Sequence, residues 1–165
     1  MAREISAGGV VMRRREDAWW MAVIEPAGDP AVTTPTSGQP VVRKGKALLA
    51  LPKGLVDPGE KPLETAVREV FEETGVTAEP ITKLGDIKYV YVRNWGDGAR
   101  VFKIVSFYLM KYKSGRIDNV TEAMRVEVAR ARWVRLDEAV KLLSYSGEKQ
   151  MVRKAVEYVR DHPEL

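Results

Sequence analysis

The sequence predicts an α/β fold, and three observations carry that expectation. Runs rich in β-branched and aromatic residues lie both before and after a helical segment in the middle of the chain, so strands and helices are interleaved rather than segregated. Two stretches near the C-terminus carry helical spacing, and a sheet of this kind needs helices on both faces to cover it. At 165 residues, 45% of them hydrophobic and 30% charged, the chain suits one domain with a substantial core.

Taken in order, Ile5 to Met12 is a β-branched run containing Gly8-Gly9, and Trp19 to Ile24 follows the polar turn Arg15-Glu16-Asp17. Together they predict a hairpin. Residues 25–46 hold Pro, Gly, Thr and Ser without apolar periodicity, then the basic stretch Arg43-Lys44-Gly45-Lys46, and are expected to form a flexible loop insertion. Ala47 to Leu51 predicts a short apolar strand. Beyond the central helix, Lys88 to Val92 and Val101 to Met110 flank the turn Asn94-Trp95-Gly96-Asp97-Gly98 as a second hairpin. Arg130 to Arg135 predicts a last strand around Trp133. Leu136 to Leu143 and Glu148 to Arg160 predict helices, the second through Met151, Ala155, Val156 and Val159.

The central segment from Gly54 to Val76 carries the chemistry. Asp57-Pro58-Gly59 signals a turn, Pro62 suits a first helical turn, and Gly75 suits a C-terminal cap. Within that helix Glu69, Glu72 and Glu73 stand three and four apart, on neighbouring positions of one face, with Leu63, Val67, Val70 and Phe71 as the opposing apolar stripe. Singly, each glutamate fits a solvated face. Together they repel by a few tenths of a kcal/mol per pair, with Arg68 the one cation inside the cluster, and a divalent ion with oxygen ligands turns that penalty into binding energy. A diphosphate bridge needs such ions, because its oxygens are already negative and repel hydroxide.

Gly54, Glu60 and the run Arg68-Glu69-Val70-Phe71-Glu72-Glu73-Thr74-Gly75-Val76 together resemble the box of the Nudix hydrolase family, which includes the MutT-like proteins. The resemblance covers most of the chain. It implies an α/β/α sandwich with a mixed sheet, one domain over 1–165, and cleavage of a phosphoanhydride bond in a nucleoside diphosphate-linked compound with Mg²⁺ or Mn²⁺. By the same resemblance, Glu72 and Glu73 are metal ligands and Glu69 is either a ligand or the base. Glu60 either assists the metal or orients Arg68, and a main-chain carbonyl at Lys53 or Gly54 completes the shell. Glu127, six residues before Trp133, is either an additional glutamate facing the metal or a solvent-exposed acid, with Glu122 the competing candidate.

Among substrates of that family, the resemblance favours a dinucleoside polyphosphate such as diadenosine tetraphosphate. ADP-sugar hydrolases tend to carry a proline where this chain has Tyr91. The run Leu51-Pro52-Lys53-Gly54, followed by Pro58-Gly59-Glu60, is similar to the diadenosine and diphosphoinositol polyphosphate group, although Ala50 stands where those relatives often carry an aromatic residue. A nucleoside triphosphate or ADP-ribose pyrophosphatase is the alternative within the fold, and a non-catalytic module for RNA or a phosphorylated ligand is the alternative outside it. Lys53 is aimed by its flanking Pro and Gly toward phosphates, with Arg43 and Lys46 as an extended basic rim. Tyr89 and Tyr91 either stack on a base or belong to the core.

The remaining composition narrows the classes. A formal charge of +4 and a pI near 9.3 favour polyanionic partners, yet the chain has no continuous basic helix, so sequence-specific nucleic-acid binding is not expected. A small phosphorylated nucleotide is the expected partner, with the protein a monomer or homodimer. With no cysteine, thiolate chemistry and disulfides are excluded, and His162, in the polar tail Asp161-His162-Pro163-Glu164, suits a frayed end rather than a general base. The start Met1-Ala2-Arg3-Glu4 lacks the apolar core of a signal peptide and no segment is apolar enough to span a bilayer, which makes cytoplasmic residence the expectation.

Overall fold

Side-chain alternation along the first strand defines the two layers of this protein. In β1 (Ala2–Arg15), Ala7 and Val11 point to one face, while Val10 and Met12 point to the other. The computed structural model describes residues 2–27, 48–93 and 96–165. Within them β1 is followed by β2 (Ala18–Pro26), β3 (Lys53–Leu55), α1 (Pro62–Thr74), β4 (Val76–Val92), β5 (Arg100–Gly115), a 3-10 turn at Ala123–Val126, β6 (Val128–Arg135), α2 (Leu136–Leu142) and α3 (Ser146–Asp161).

The strands form one mixed six-stranded sheet in the order β4-β5-β1-β2-β6, with β3 also paired to β1. Only the β1–β5 pairing is parallel, as Ile5↔Ile104 and Val10↔Leu109 show. The face carrying Val10 and Met12 packs on α2 and α3 through Leu136, Ala139, Met151, Val152 and Ala155. The opposite face packs on α1 through Ala66 and Val70. The sheet is thus covered on both sides, and the expected α/β/α sandwich with a mixed sheet is the fold observed. Among the described residues no helix is long and apolar enough to cross a membrane.

Several boundaries differ from the sequence reading, each for a physical reason. Glu25 and Pro26 belong to β2 rather than to the loop, since Glu25 pairs with Arg130; residues 28–46 of that expected loop, with Arg43 and Lys46, lie outside the described residues. The short strand expected up to Leu51 is reduced to a bridge between Ala50 and Ile24, and strand pairing resumes at Lys53, after Pro52, which has no N–H to donate. β4 begins at Val76, well before Lys88. Pro80 and Gly85 disguise its first half, and the β4–β5 ladder shifts register beside both.

The first hairpin closes as expected through Glu16 and Asp17, both at positive φ, with Arg15 opposite Ala18. The second joins β4 to β5, its turn residues Asn94 and Trp95 lying outside the described set. In α3 the buried positions are Glu148, Met151, Val152 and Ala155, whereas Val156 is exposed.

Candidate active site

The helix α1 is held at both ends by the groups its sequence supplies. Glu64 accepts the Lys61 N–H at 3.0 Å, Pro62 opens the first turn, and Gly75 closes the last with φ 82, donating its N–H to Phe71 O. A side chain at Gly75 would be strained at that φ and would collide with the backbone of Arg116 and Asn119. The rotation of the helix, however, departs from the expected stripe. Phe71 is 53% exposed and Leu63 39%, while Glu69 and Glu73 are 8% and 6% exposed beside Thr65, Ala66 and Val70. Ala66 and Val70 form the contact with the sheet, Val70 and Val67 keeping to the expected stripe, and the carboxylates of Glu69 and Glu73 are turned inward toward β3.

Arg68 organises the cluster. Its Nε donates to Glu60 Oε2 at 2.8 Å and its Nη2 to Glu60 Oε1 at 2.9 Å, a bidentate pair. Nη1 bridges Glu69 Oε1 at 3.0 Å and Glu72 Oε2 at 3.1 Å, and Nη2 also reaches the Leu55 carbonyl at 3.1 Å. Hydrogen bonds from Arg68 first, then Thr65, hold the Glu60 carboxyl down at about 2. Glu60 also accepts the Asp57 N–H. Of its two expected roles, the geometry engages it in orienting Arg68.

Glu69 and Glu73 sit in the opposite electrostatic condition. Burial raises the proton affinity of Glu69, against the opposing charge of Arg68, with Glu72 and Glu127 adding to the rise. Burial likewise pushes Glu73 up to about 8, against the pull of the Lys53 charge and of the Lys53 N–H, which Glu73 Oε1 accepts at 3.0 Å. Gly54 makes this approach possible, because a Cβ there would overlap the Glu69 carboxylate.

On the other side of β3 stands a group that the sequence reading did not single out. Glu148 in α3, fully buried, accepts the Leu51 N–H at 2.8 Å through Oε1 and lies 3.8 Å from Lys53 Nζ through Oε2. Lys53 therefore spans the sheet: its N–H faces the α1 carboxylates and its ammonium faces α3.

A cleft of about 310 Å³ opens between these groups, lined by Ser6, Lys53, Gly54, Leu55, Asp57, Glu69, Lys103 and Glu127. Lys103 and Ser6 were also missed from sequence, Lys103 being one lysine within an apolar strand and Ser6 one serine in a β-branched run. Burial first, and then the neighbouring Lys53 charge, lowers the Lys103 pKa, with Glu4 3.8 Å away. The Ser6 hydroxyl, 1% exposed, has no hydrogen-bond partner among the described residues. Glu127 lines the cleft and Glu122 does not. Its loop is clamped by Asp118, whose Oδ1 accepts from Arg125 Nη1 and from the Ala131 N–H, both at 2.8 Å.

Tyr89 and Tyr91 lie outside the cleft lining. Tyr89 packs against the α2–α3 core, and the Tyr91 hydroxyl donates to Glu4 Oε1 at 2.7 Å. For Tyr89 this arrangement supports the core alternative, whereas Tyr91 packs into no core cluster among the described residues.

The donor set suits a hard divalent cation. It consists of oxygen ligands, and desolvated Glu69 and Glu73 gain from any positive charge placed beside them. Among the described residues no three acidic side chains form a ready-made cage, and Glu60, Glu69 and Glu72 converge on the Arg68 guanidinium instead.

Comparison with known proteins identifies the family. The NUDIX domain profile matches residues 36–155. A putative mutator protein MutT4 of Mycobacterium tuberculosis is 38% identical over 119 residues, covering 72% of this chain and 45% of that protein, so the chain spans under half of that relative's length. The asymmetrical Bis(5'-nucleosyl)-tetraphosphatase of Mus musculus is 32% identical over 116 residues, covering 68% of this chain and 72% of the mouse protein. A solved structure of a C. elegans Ap4A hydrolase binary complex superposes with a TM-score of 0.66 at 22% identity, over 96% of this chain and 98% of that one, a likeness of fold.

Proposed function

The chain belongs to the NUDIX family, and from that premise we propose that it hydrolyses a phosphoanhydride bond in a dinucleoside polyphosphate such as diadenosine tetraphosphate. The observation that carries this reading is the two-sided cleft, in which Glu69 and Glu127 share one lining with Lys53, Lys103 and an unpartnered Ser6 hydroxyl. A polyphosphate chain is the ligand that uses both sides. Its terminal portion lies along the two ammonium groups, and the bond to be broken lies against the carboxylates.

Nudix hydrolases generally use divalent metals, and here Glu72, Glu73 and Glu127 would hold the ion. When bound, such an ion neutralises phosphate charge and makes water a better nucleophile. Arg68 keeps Glu69 and Glu72 in place, and Glu60 keeps Arg68 in place. Glu69, which lines the cleft, is positioned to take the proton of the attacking water as its oxygen bonds to phosphorus and the bridging P–O bond breaks. Lys53 and Lys103 stabilise the departing nucleotide's charge. In this reading residues 1–165 form a single Nudix domain.

A matched panel of diadenosine tetraphosphate, ADP-ribose and nucleoside triphosphates, assayed with Mg²⁺, tests the reading. The highest kcat/KM is expected for diadenosine tetraphosphate. If ADP-ribose or a nucleoside triphosphate ranks first, the substrate assignment is wrong while family membership stands.

A further inference from the structure

A second pocket lies on the α1 face of the sheet, toward the tip of the first hairpin. Strand register puts its members on one side: Arg13 is paired with Trp20, Ala22 is paired with Trp133, and Arg15 lies two residues beyond Arg13. The α1 helix covers this face through contacts with Ala7, Val11 and Ala22. Past them, Arg13, Arg15, Glu16, Trp20 and Trp133 surround a cavity of about 240 Å³. Seven residues of β1 separate Ser6 in the catalytic cleft from Arg13, roughly 23 Å along an extended strand, so the two pockets do not share a ligand.

The chemistry of the pocket is specific. The Arg13 guanidinium lies 4.1 Å above the Tyr112 ring and 5.9 Å from Trp133, and Tyr112 meets Trp133 edge-on at 5.9 Å, so this aromatic pair seats Arg13 at the pocket wall. Among the described residues neither Arg13 nor Arg15 has an acidic partner, in contrast to Arg68, Arg125, Arg132 and Arg135. Two indoles and two uncompensated guanidinium groups around a space of this size select a planar ring that carries an anionic group. Bases stack favourably on indole faces, and guanidinium is the preferred partner of phosphate.

We propose that this pocket binds a nucleoside monophosphate, its base against Trp20 and Trp133 and its phosphate on Arg13 and Arg15. The cavity accommodates a base rather than a dinucleotide, which leaves the phosphate at the rim where Arg15 is exposed. Glu16 on the same rim accepts a hydrogen bond from a ribose hydroxyl or an exocyclic amine, and its charge disfavours a longer phosphate chain.

The test is titration of the full chain with AMP in EDTA, read by tryptophan fluorescence and by calorimetry. Saturable binding is expected, retained in Lys103→Ala and Glu73→Gln, and weakened roughly tenfold or more in Arg15→Ala, where one charge-assisted contact is lost at an exposed position that leaves the fold's melting temperature unchanged. Adenosine, which lacks the phosphate, is expected to bind wild type and Arg15→Ala equally. Trp20→Leu should weaken both ligands. Absence of saturable binding to wild type would overturn the proposal. So would binding that is lost in Lys103→Ala and untouched in Arg15→Ala, because the nucleotide would then occupy only the cleft.

Discussion

On the α1 side of the cleft, Arg68 spends its donors on Glu60, Glu69, Glu72 and the Leu55 carbonyl. On the β1–β5 side, Lys103 has only the Glu4 carboxylate at 3.8 Å for an ion pair, and the Ser6 hydroxyl has no partner among the described residues. One wall is knit by short hydrogen-bonded ion pairs, while the ammonium groups of the other stand 3.8 Å from their carboxylates. The difference separates two jobs. A wall that must keep like charges together needs an internal counterion, whereas a wall that must receive phosphate loses affinity for every donor it satisfies internally.

Replacing Glu73 by Gln attacks the first wall and should have the largest effect. A turnover assay should show a loss of roughly 10²-fold or more, as for removal of a charged group from a transition-state clamp. In parallel melts without metal the variant should be as stable as wild type or more so, because a desolvated carboxylate is replaced by a neutral amide; the stabilisation that Mg²⁺ gives wild type should be largely absent. A variant that keeps both turnover and the Mg²⁺ response would remove Glu73 from the site.

Lys103→Ala attacks the second wall. Steady-state kinetics should show kcat/KM for diadenosine tetraphosphate lower by roughly 10- to 100-fold, the worth of one charged hydrogen bond, with a smaller loss for substrates of fewer phosphates. An equal loss across the panel would mean that Lys103 acts on the fold rather than on the phosphate chain.

Glu148→Ala tests whether the walls are linked behind the sheet. Leaving the buried Leu51 N–H without its acceptor should lower stability by about 1–3 kcal/mol in denaturant unfolding. It should also raise KM, because Lys53 loses the carboxylate that fixes its ammonium. Wild-type KM in a folded variant would confine Glu148 to a structural role.

The smallest effect concerns Asp118. Arg125 and the Ala131 N–H hold its pKa below the ordinary value of 3.8. A carboxyl with a depressed folded pKa adds stability above its unfolded pKa and loses it as pH falls through the folded one. Wild type should therefore show an acid-induced fall in melting temperature below about pH 4 that is shallower in Asp118→Asn, a residue that tolerates the φ of 70 found there. Parallel curves for the two proteins would dismiss the clamp.

How far each wall was visible in the sequence follows from how it is assembled. Glu60, Arg68, Glu69, Glu72 and Glu73 fall in one short segment, where turn, helix and cap signals are local, and α1 begins and ends where Pro62 and Gly75 indicate. Even there, the apolar stripe through Leu63 and Phe71 failed, because Thr65 and Ala66 make the close packing and the carboxylates take the inward positions that a solvated helix would give to leucines. The opposite wall draws Ser6, Lys53 and Lys103 from three strands, and Glu148 reaches Lys53 from a helix 95 residues later. Only the parallel β1–β5 register brings Ser6 and Lys103 together, and pairing across that distance has no local signature. Tyr89 and Tyr91 were undecided for a related reason, since strand aromatics look alike until the sheet's faces are assigned.

The guanidinium at the heart of the box sets an order of assembly. In small zinc domains the ion arrives first and the polypeptide collapses around it, so starvation for metal is starvation for structure. Here the ion pairs of Arg68 already hold Glu60, Glu69 and Glu72 together within the fold. If the proposed divalent ion is used in turnover, a chelator should silence the protein reversibly without melting it.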